Sequence, residues 1–409
     1  MEIKPFRALL PAPENAAEVT CYPHLAYDQA SFKKLLQSRP NSLLHIVRAE
    51  FELAGPVAYL DPRIYERVRT NFHNALEKNI FQLESTPGYF IHELEILGHK
   101  QVGLTGLVKL EEHRNGTIKG HEKTFPEQVL DRQKRIAAFG GHVSPLFLLA
   151  KENPNLEHLL ATETSVSPCY SFDTMGQVHN RLWRVSQTNK VQEIFSKIPD
   201  LYIADGHHRI EAAEGLCNEL CELGELSRAE SFIPVTIFPE KAAHILAYNR
   251  ALKVRPGKWN RLEFMKNLQT NFEVLPASNG LATTKGEIRL YLDKQWLNLK
   301  STIPKQGDPL SDLDLSIASE KIIKPLVEDY APAHIHGMHY VPAINGITEL
   351  ESLVNSGNAD FALSFFPVSA REIIAISDRG QTMVPKATWF DPKLCHGLTI
   401  YRFQDQDHL

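Results

Sequence analysis

The polar run Asp205-Gly206-His207-His208-Arg209 carries residue types that suit the binding of an anion. Gly206 lets the backbone turn tightly or approach a ligand closely. Arg209 offers a planar fork of donors that matches phosphate oxygens. A carboxylate such as that of Asp205, next to bound phosphates, could accept the proton of a hydroxyl group. The run therefore predicts an anion site with an acid beside it.

The sequence around this run predicts a strand-to-helix junction. Residues 201–204 are apolar and partly β-branched, as in a buried strand. Backbone N–H groups and the helix dipole attract anions where a helix begins. The alternative is a plain helix N-terminus that is capped by Asp205 and followed by two surface histidines. The predicted helix has apolar residues at three-and-four spacing, namely Ile210, Ala213, Leu216, Cys217, Leu220 and Leu223.

A second polar cluster, at residues 120–124, precedes a helix that we predict to start at Pro126 and to end near Phe139. It contains His121 and Glu122, and the alternative to a functional role is a solvated loop that leads to a helix cap. Phosphoryl transfer to a hydroxyl needs an acid that positions or deprotonates the hydroxyl, together with groups that hold the donor phosphates. Glu122 and the 205–209 run together fit that chemistry.

Other kinds of site have weaker support. His334, His336 and His339 have the spacing H-x-H-x-x-H, and imidazole suits zinc. Pro332 and Gly337 place them on a loop, where spacing alone fixes no geometry, so a structural or exposed role is the alternative. The sequence has no P-loop, no Rossmann glycine fingerprint and no G-x-S-x-G elbow.

Composition favours a globular protein of the cytoplasm. The chain has 409 residues, 43% hydrophobic and 23% charged, which is typical of globular proteins with two or three domains. A net charge of -5 argues against general nucleic-acid binding, since no basic surplus is present. The first residues have Pro and Glu where a signal peptide needs an apolar run, and no window has the length of a membrane helix. Five scattered cysteines make a disulfide framework improbable.

Strand and helix patterns alternate along the chain, which predicts a mixed α/β fold. We expect an N-terminal region at 1–105, a core at 106–245 with an insertion at about 151–199, and a C-terminal α+β domain at 246–409. Asp61 and Pro62 predict a helix start. Residues 42–51 predict a buried strand, and residues 88–112 predict two strands joined by a hairpin-like connector at 97–100.

Several of these motifs resemble a known fold. The order HEKT, a helix, SPLFLL, YIADGHHRIEAA and IPVTIF resembles the ParB/sulfiredoxin-like nucleotide-binding fold, in particular its free serine kinase branch. The whole chain resembles a widespread prokaryotic family built around that core, through IKPFRALLP, NSLLHIVRAE, NGTIKGHEKT and MVPKATWFDPKLCHGL. The family's Pro-Pro-Tyr-Asp appears here as Cys21-Tyr22-Pro23-His24, with Tyr27 and Asp28 displaced.

The resemblance implies roles for individual residues. Asp205 would be the base, and Glu122 a second catalytic or metal-positioning acid. Gly206, His207, His208 and Arg209 would bind nucleotide phosphates. His121, Lys386 and Thr388 are further candidates for a substrate or phosphate contact, and for the last two a structural turn is the alternative. The implied cofactors are ATP or ADP, or another nucleotide, with Mg²⁺.

We therefore expect a small-molecule kinase that transfers phosphate from a nucleotide to a hydroxyl metabolite such as free serine. The alternative is a nucleotide-responsive switch, as in the ParB branch, that needs no hydroxyl substrate. A metal-dependent hydrolase that uses His334, His336 and His339 is a third interpretation. We expect no membrane partner, and the sequence leaves a homo-oligomer open.

Overall fold

The chain forms two compact units in a computed structural model that describes residues 1–22, 29–174, 177–327 and 335–409. The first unit comprises Met1–Gly120, Thr124–Ala243 and Pro392–Leu409. The second comprises His121–Lys123 and His244–Asp391. The predicted domain boundaries at residues 105 and 245 stay predictions. Among the residues discussed above, Pro23, His24, Tyr27, Asp28, Pro332 and His334 lie outside the described residues.

The first unit combines strands and helices along the whole of its length. Its strands are β1 (Leu9–Pro11), β2 (Phe81–Leu83), β3 (Phe90–Ile96), β4 (His99–Lys109), β5 (Ile118–Lys119), β6 (Gly141–His142), β7 (Leu146–Ala150), β8 (Tyr170–Asp173), β9 (His179–Arg184), β10 (Leu201–Asp205), β11 (Phe232–Pro239) and β19 (Tyr401–Arg402). Its α-helices are α1 (Ala16–Val19), α2 (Gln29–Ser38), α3 (Leu44–Val47), α4 (Pro62–Glu77), α5 (Glu111–Arg114), α6 (Pro126–Phe139), α7 (Pro154–Glu163), α8 (Thr188–Phe195) and α9 (His207–Leu223).

An eight-stranded mixed sheet organises this unit, in the order β5-β10-β7-β11-β4-β3-β9-β8. The pairs β10–β5 and β11–β7 are parallel, and the other pairs are antiparallel. Apolar side chains of α7, α8 and α9 join those of the sheet strands in one core cluster. A second cluster joins α2, α3 and α4 with the end of α6. Asp205, the last residue of β10, pairs with Phe147 of β7, so the sheet sets the position of its backbone.

Most local predictions for this unit are confirmed. Helix α6 runs from Pro126 to Phe139, and α4 begins at Pro62 with the Asp61 side chain accepting a hydrogen bond from the N–H of Arg63 at 3.0 Å. Strands β3 and β4 form the predicted hairpin, in which Leu97 and Gly98 both have positive φ. These features depend on local backbone chemistry, which a sequence displays directly.

Two local predictions are wrong. Residues 42–51 form no strand but the short helix α3 and a 3-10 turn at Ala49–Glu52. Leu44 and Ile46 are buried there, and a short apolar run does not show whether its period is that of a strand or a helix. Leu223, predicted on the apolar face of α9, is 63% exposed because it lies in the last turn of that helix.

The second unit is built around a seven-stranded sheet. Its strand order is β13-β15-β14-β17-β12-β16, with β18 also paired to β12. The strands are β12 (Ile245–Leu252), β13 (Phe272–Pro276), β14 (Glu287–Leu292), β15 (Gln295–Ser301), β16 (Met338–Pro342), β17 (Phe361–Phe365) and β18 (Thr388–Phe390). The α-helices are α10 (Arg261–Asn271), α11 (Asp314–Ala318), α12 (Ile347–Asn355) and α13 (Ala370–Asp378).

The two sheets with their helices confirm the predicted mixed α/β class. That the core has the ParB/sulfiredoxin-like fold stays a prediction. Among the described residues, no helix combines the length and the apolar character that crossing a membrane requires.

Candidate functional site

The 205–209 run lies at a strand-to-helix junction, as predicted. Strand β10 ends at Asp205, Gly206 occupies the N-cap position with φ +119°, and the 17-residue helix α9 begins at His207. A Cβ atom on Gly206 would lie 2.5 Å from Cδ2 of Leu146, which is itself buried. Both the left-handed backbone and this crowding favour glycine. Since Gly206 holds the N-cap position, the Asp205 side chain is one residue too early for the cap of the alternative interpretation.

The Asp205 carboxylate lies between two cations. Its Oδ2 accepts a hydrogen bond from Arg209 Nη2 at 3.1 Å, and its Oδ1 accepts one from the Lys393 ammonium. The Asp205 side chain is 34% exposed, so solvent or a ligand can reach it. Asp205 is therefore an accessible, charge-compensated acid at the start of a long helix.

Arg209 is held by the protein on both of its terminal nitrogens. Nη1 donates to the carbonyl of Pro145 at 2.9 Å and to Oγ of Ser144 at 3.0 Å, while Nη2 donates to Asp205. Burial lowers the pKa of Arg209, and the charge of Asp205 opposes that effect. These contacts fix the guanidinium over the turn and join it to the residues before β7. Phosphate binding by Arg209 stays a prediction.

The two histidines of the run pack against Gly120 and Phe125, which belong to the same unit. His207 is buried, and a Cβ on Gly120 would lie 3.1 Å from Cδ2 of the His207 ring. His208 Nε2 accepts a hydrogen bond from the N–H of Phe125 at 3.2 Å, and the two rings pack with centroids 5.7 Å apart. An accepting Nε2 carries no proton, so this contact needs a neutral His208. The two residues are thus not the surface histidines of the alternative interpretation, and their phosphate-binding role stays a prediction.

Residues His121 and Glu122 belong to the second unit, whereas Asp205 belongs to the first. His121 is 3% exposed, and its carbonyl accepts a hydrogen bond from the N–H of Met383 at 2.8 Å. A solvated loop, the alternative interpretation, therefore does not describe His121. Glu122 is half-buried. Its predicted partnership with Asp205 stays a prediction.

Lys386 and Thr388 lie on a turn and a strand that a buried arginine fixes. Arg250 Nη2 donates to the carbonyls of Pro385 and Lys386, both at 2.8 Å. Lys386 has φ 55° and an exposed side chain, and Thr388 begins β18, where it pairs with Ala247. The turn at Pro385 and Lys386 is thus held by hydrogen bonds from Arg250. A substrate or phosphate contact by the side chain of Lys386 or Thr388 stays a prediction.

Sequence reasoning missed Lys393 and Ser144 as parts of this site. Lys393 follows Asp205 by 188 residues, and no local pattern signals a contact over that separation. The basic residue within the terminal motif DPKLCHGL was the one available sign. His142 stacks with Tyr401, and burial together with the charge of Arg209 lowers its pKa to about 3.

The predicted metal site has no support in the described parts of the chain, where no three His, Cys, Asp or Glu side chains are grouped to hold an ion. His334 lies outside those parts, so the three-histidine cluster is not tested as a whole. Mg²⁺ is commonly held by one or two carboxylates together with substrate phosphates, so it needs fewer protein ligands than a zinc site. The carboxylate of Asp205 is a ligand of the type that Mg²⁺ prefers.

Comparison with solved structures gives distant likenesses. A free serine kinase in complex with ADP is 14% identical, with a TM-score of 0.39, and the match covers 73% of this chain and 92% of that one. SbnI with a C-terminal truncation, from Staphylococcus aureus, is 16% identical at a TM-score of 0.39 over 74% and 91% of the two chains. A conserved hypothetical protein from Pyrococcus furiosus is 15% identical at 0.37, over 74% and 97%. With TM-scores below 0.5, these likenesses carry no argument about this chain.

The sequence itself assigns a family. Comparison with curated proteins gives no match. The sequence profile of one family matches residues 3–316, which include the whole 205–209 run and end before Lys393. The chain therefore belongs to the family described as protein of unknown function (DUF1015).

Proposed function

We propose that the protein is a nucleotide-dependent kinase that transfers phosphate to the hydroxyl group of a small metabolite. The observation that carries this proposal is the Asp205 carboxylate, one-third exposed, next to the N-terminus of α9 and in contact with Arg209 and Lys393. An acid beside a cluster of positive charge is the combination that phosphoryl transfer to a hydroxyl requires.

In this proposal Asp205 accepts the proton of the acceptor hydroxyl. The hydroxyl oxygen forms a bond to phosphorus while the bond from phosphorus to the nucleotide oxygen breaks, and the shortened nucleotide leaves. The contacts of Asp205 with Arg209 and Lys393 support this role because they hold the carboxylate in one place. Positioning of the acceptor is expected to matter at least as much as basicity.

The donor phosphates are proposed to bind at the start of α9. The first N–H groups of a long helix and its dipole attract anions, and Lys393 and Arg209 add positive charge to the same place. Gly206, His207 and His208 would contribute through their backbone. Mg²⁺, when bound with the nucleotide, would supply further neutralisation of phosphate charge.

The resemblance stated above supplies the remaining parts of the proposal. It implies ATP or ADP as donor, free serine or a related hydroxyl compound as acceptor, and Glu122 as a second acid. His121, Lys386 and Thr388 are proposed contacts of substrate or phosphate. The second unit holds these four residues and offers a fixed turn for the last two.

A product screen tests the proposal. The protein is incubated with Mg²⁺, ATP or ADP and a panel of hydroxyl metabolites that includes serine, and phosphorylated products are sought by mass spectrometry. We expect one member of the panel to be phosphorylated. If the nucleotide binds and no product forms with any member, the kinase proposal fails. A nucleotide-dependent change in light scattering would then favour the switch.

A further inference from the structure

We infer that Ser171, His179 and Asp173 form a second catalytic site, in which Ser171 is a nucleophile toward small activated carboxylic esters. The three residues lie on the neighbouring antiparallel strands β8 and β9, and β8 is an edge strand of the eight-stranded sheet. The site uses none of the residues proposed for phosphate transfer. The inference is therefore independent of the proposed function and goes beyond it.

Two hydrogen bonds connect the three side chains in a row. Asp173 Oδ1 lies 2.7 Å from His179 Nδ1, and Ser171 Oγ lies 3.1 Å from His179 Nε2. An ionised carboxylate can only accept, so in the neutral ring Nδ1 carries the proton and Nε2 accepts the hydrogen bond of the Ser171 hydroxyl. A hydroxyl that is bonded to a base, which a carboxylate orients in turn, is the arrangement that activates a serine.

The register of the strands brings these residues together. Ser171 and Asp173 are two residues apart on β8, so they lie on the same face, and His179 shares that face because it pairs with Asp173. Farther along this face, the paired residues Trp183 and Ile91 are buried in the core. The three residues lie where the face reaches solvent, since the side chain of His179 is 28% exposed and that of Asp173 is 73% exposed.

A cation lies beside the nucleophile. Arg181 is directly opposite Ser171 in the register of β8 and β9. Its Nη1 contacts Glu93 and donates to Glu95 at 2.9 Å. Among the residues that the structure describes, none accepts a hydrogen bond from Nε or Nη2 of Arg181. These two donors are therefore available to the negative oxygen that forms when Ser171 attacks a carbonyl group.

The proposed reaction is acyl transfer to water. Ser171 Oγ forms a bond to the carbonyl carbon of the ester, its proton passes to His179 Nε2, and the bond to the alcohol breaks as the alcohol oxygen takes up that proton. Water then attacks the acyl group, its proton passes through His179 to Ser171 Oγ, and the carboxylic acid leaves. Asp173 is a positioning residue that holds the ring. Because water screens charges at an exposed site, an ester with a good leaving group is the substrate class that fits.

Acetylation by p-nitrophenyl acetate tests the inference, and mass spectrometry of the digested protein identifies the modified residues. We expect Ser171 to be acetylated at least about tenfold faster than exposed Ser165, whose hydroxyl donates to the carbonyl of Thr162 at 2.7 Å. His179→Gln should slow the acetylation of Ser171 by about 100-fold, because the base is lost. The matched control is Ser165→Ala, which should leave the rate at Ser171 unchanged.

Variants of Asp173 separate a positioning role from a merely structural one. Asp173→Asn should slow the acetylation of Ser171 by about 10- to 100-fold, because the amide no longer fixes the tautomer of the ring, while its denaturant midpoint stays that of the unsubstituted protein. Asp173→Glu should recover part of the rate. Acetylation of Ser171 that is no faster than that of Ser165, or that His179→Gln or Asp173→Asn leaves unchanged, would overturn the inference.

Discussion

Arg209 shows how a residue type suggests a role that its contacts then refine. The planar guanidinium of an arginine matches phosphate oxygens. In this protein, however, the guanidinium of Arg209 donates its hydrogen bonds to Ser144, Pro145 and Asp205. Nothing in the sequence near Arg209 indicates these partners, because two of them lie about sixty residues earlier, before β7. Lys393 contacts Asp205 across a still longer separation of 188 residues, so this pair too has no local sequence signal.

We predict that Arg209→Lys destabilises the protein by about 1 to 3 kcal/mol, because one ammonium cannot replace hydrogen bonds that point in several directions. Denaturant midpoints measure the effect. Arg114→Lys is the control, since Arg114 is exposed and bonds to Asn218 on the outer part of α9 at 2.8 Å. Its midpoint should stay close to that of the unsubstituted protein. Equal midpoints for the two variants would show that the Arg209 contacts add nothing to stability.

At the scale of elements, the junction between β10 and α9 was predictable because its signals are local. An apolar strand, a glycine and an amphipathic helix follow one another within a short stretch. The link between the starts of α6 and α9 was not predictable, since it depends on the hydrogen bond from Phe125 to His208. The strand prediction for residues 42–51 was wrong for a related reason. The packing around a short apolar run decides its conformation, and the spacing of its apolar residues does not.

We predict that Gly206→Ala costs more stability than Gly224→Ala, although both positions have positive φ and flank the same helix. A methyl group at position 224 would have no atom within contact distance, so the left-handed backbone alone should lower the free energy of unfolding by about 1 to 2 kcal/mol. At 206 it also meets buried Leu146 at 2.5 Å, which should add about 1 to 3 kcal/mol. Denaturant midpoints give the comparison. Similar losses at both positions would mean that the turn relaxes freely.

At the scale of the whole molecule, the mixed α/β class followed from the alternation of strand and helix patterns. The return of Pro392–Leu409 to the first unit did not, because chain order alone gives no sign of it. The first unit also buries two histidines in their neutral form. Burial lowers the pKa of His92 to about 4 and, with the charge of Arg209, that of His142 to about 3.

These two histidines predict a loss of stability in acid. Their pKa values rise to about 6.5 on unfolding, so the unfolded chain binds more protons and stability falls as the pH drops from about 7 toward 4. Each histidine contributes a slope of up to about 1.4 kcal/mol per pH unit. His142→Phe keeps an aromatic ring against Tyr401 and Phe403. It should lower the number of protons that the chain takes up on unfolding by about one. Denaturant midpoints measured across this pH range give the dependence of stability on pH. If that dependence is the same in His142→Phe as in the unsubstituted protein, His142 is not one of the groups that take up a proton on unfolding.

The most direct test of the central claim compares phosphate transfer by the unsubstituted protein and by Asp205→Asn. Labelled nucleotide, Mg²⁺ and the acceptor found in the product screen are supplied to both, and the labelled product is counted. We predict that the unsubstituted protein transfers the label and that Asp205→Asn loses at least about a hundredfold in turnover, because it lacks the base, while its nucleotide affinity stays within a few-fold. Equal transfer by the two proteins would contradict the assignment of Asp205 as the base.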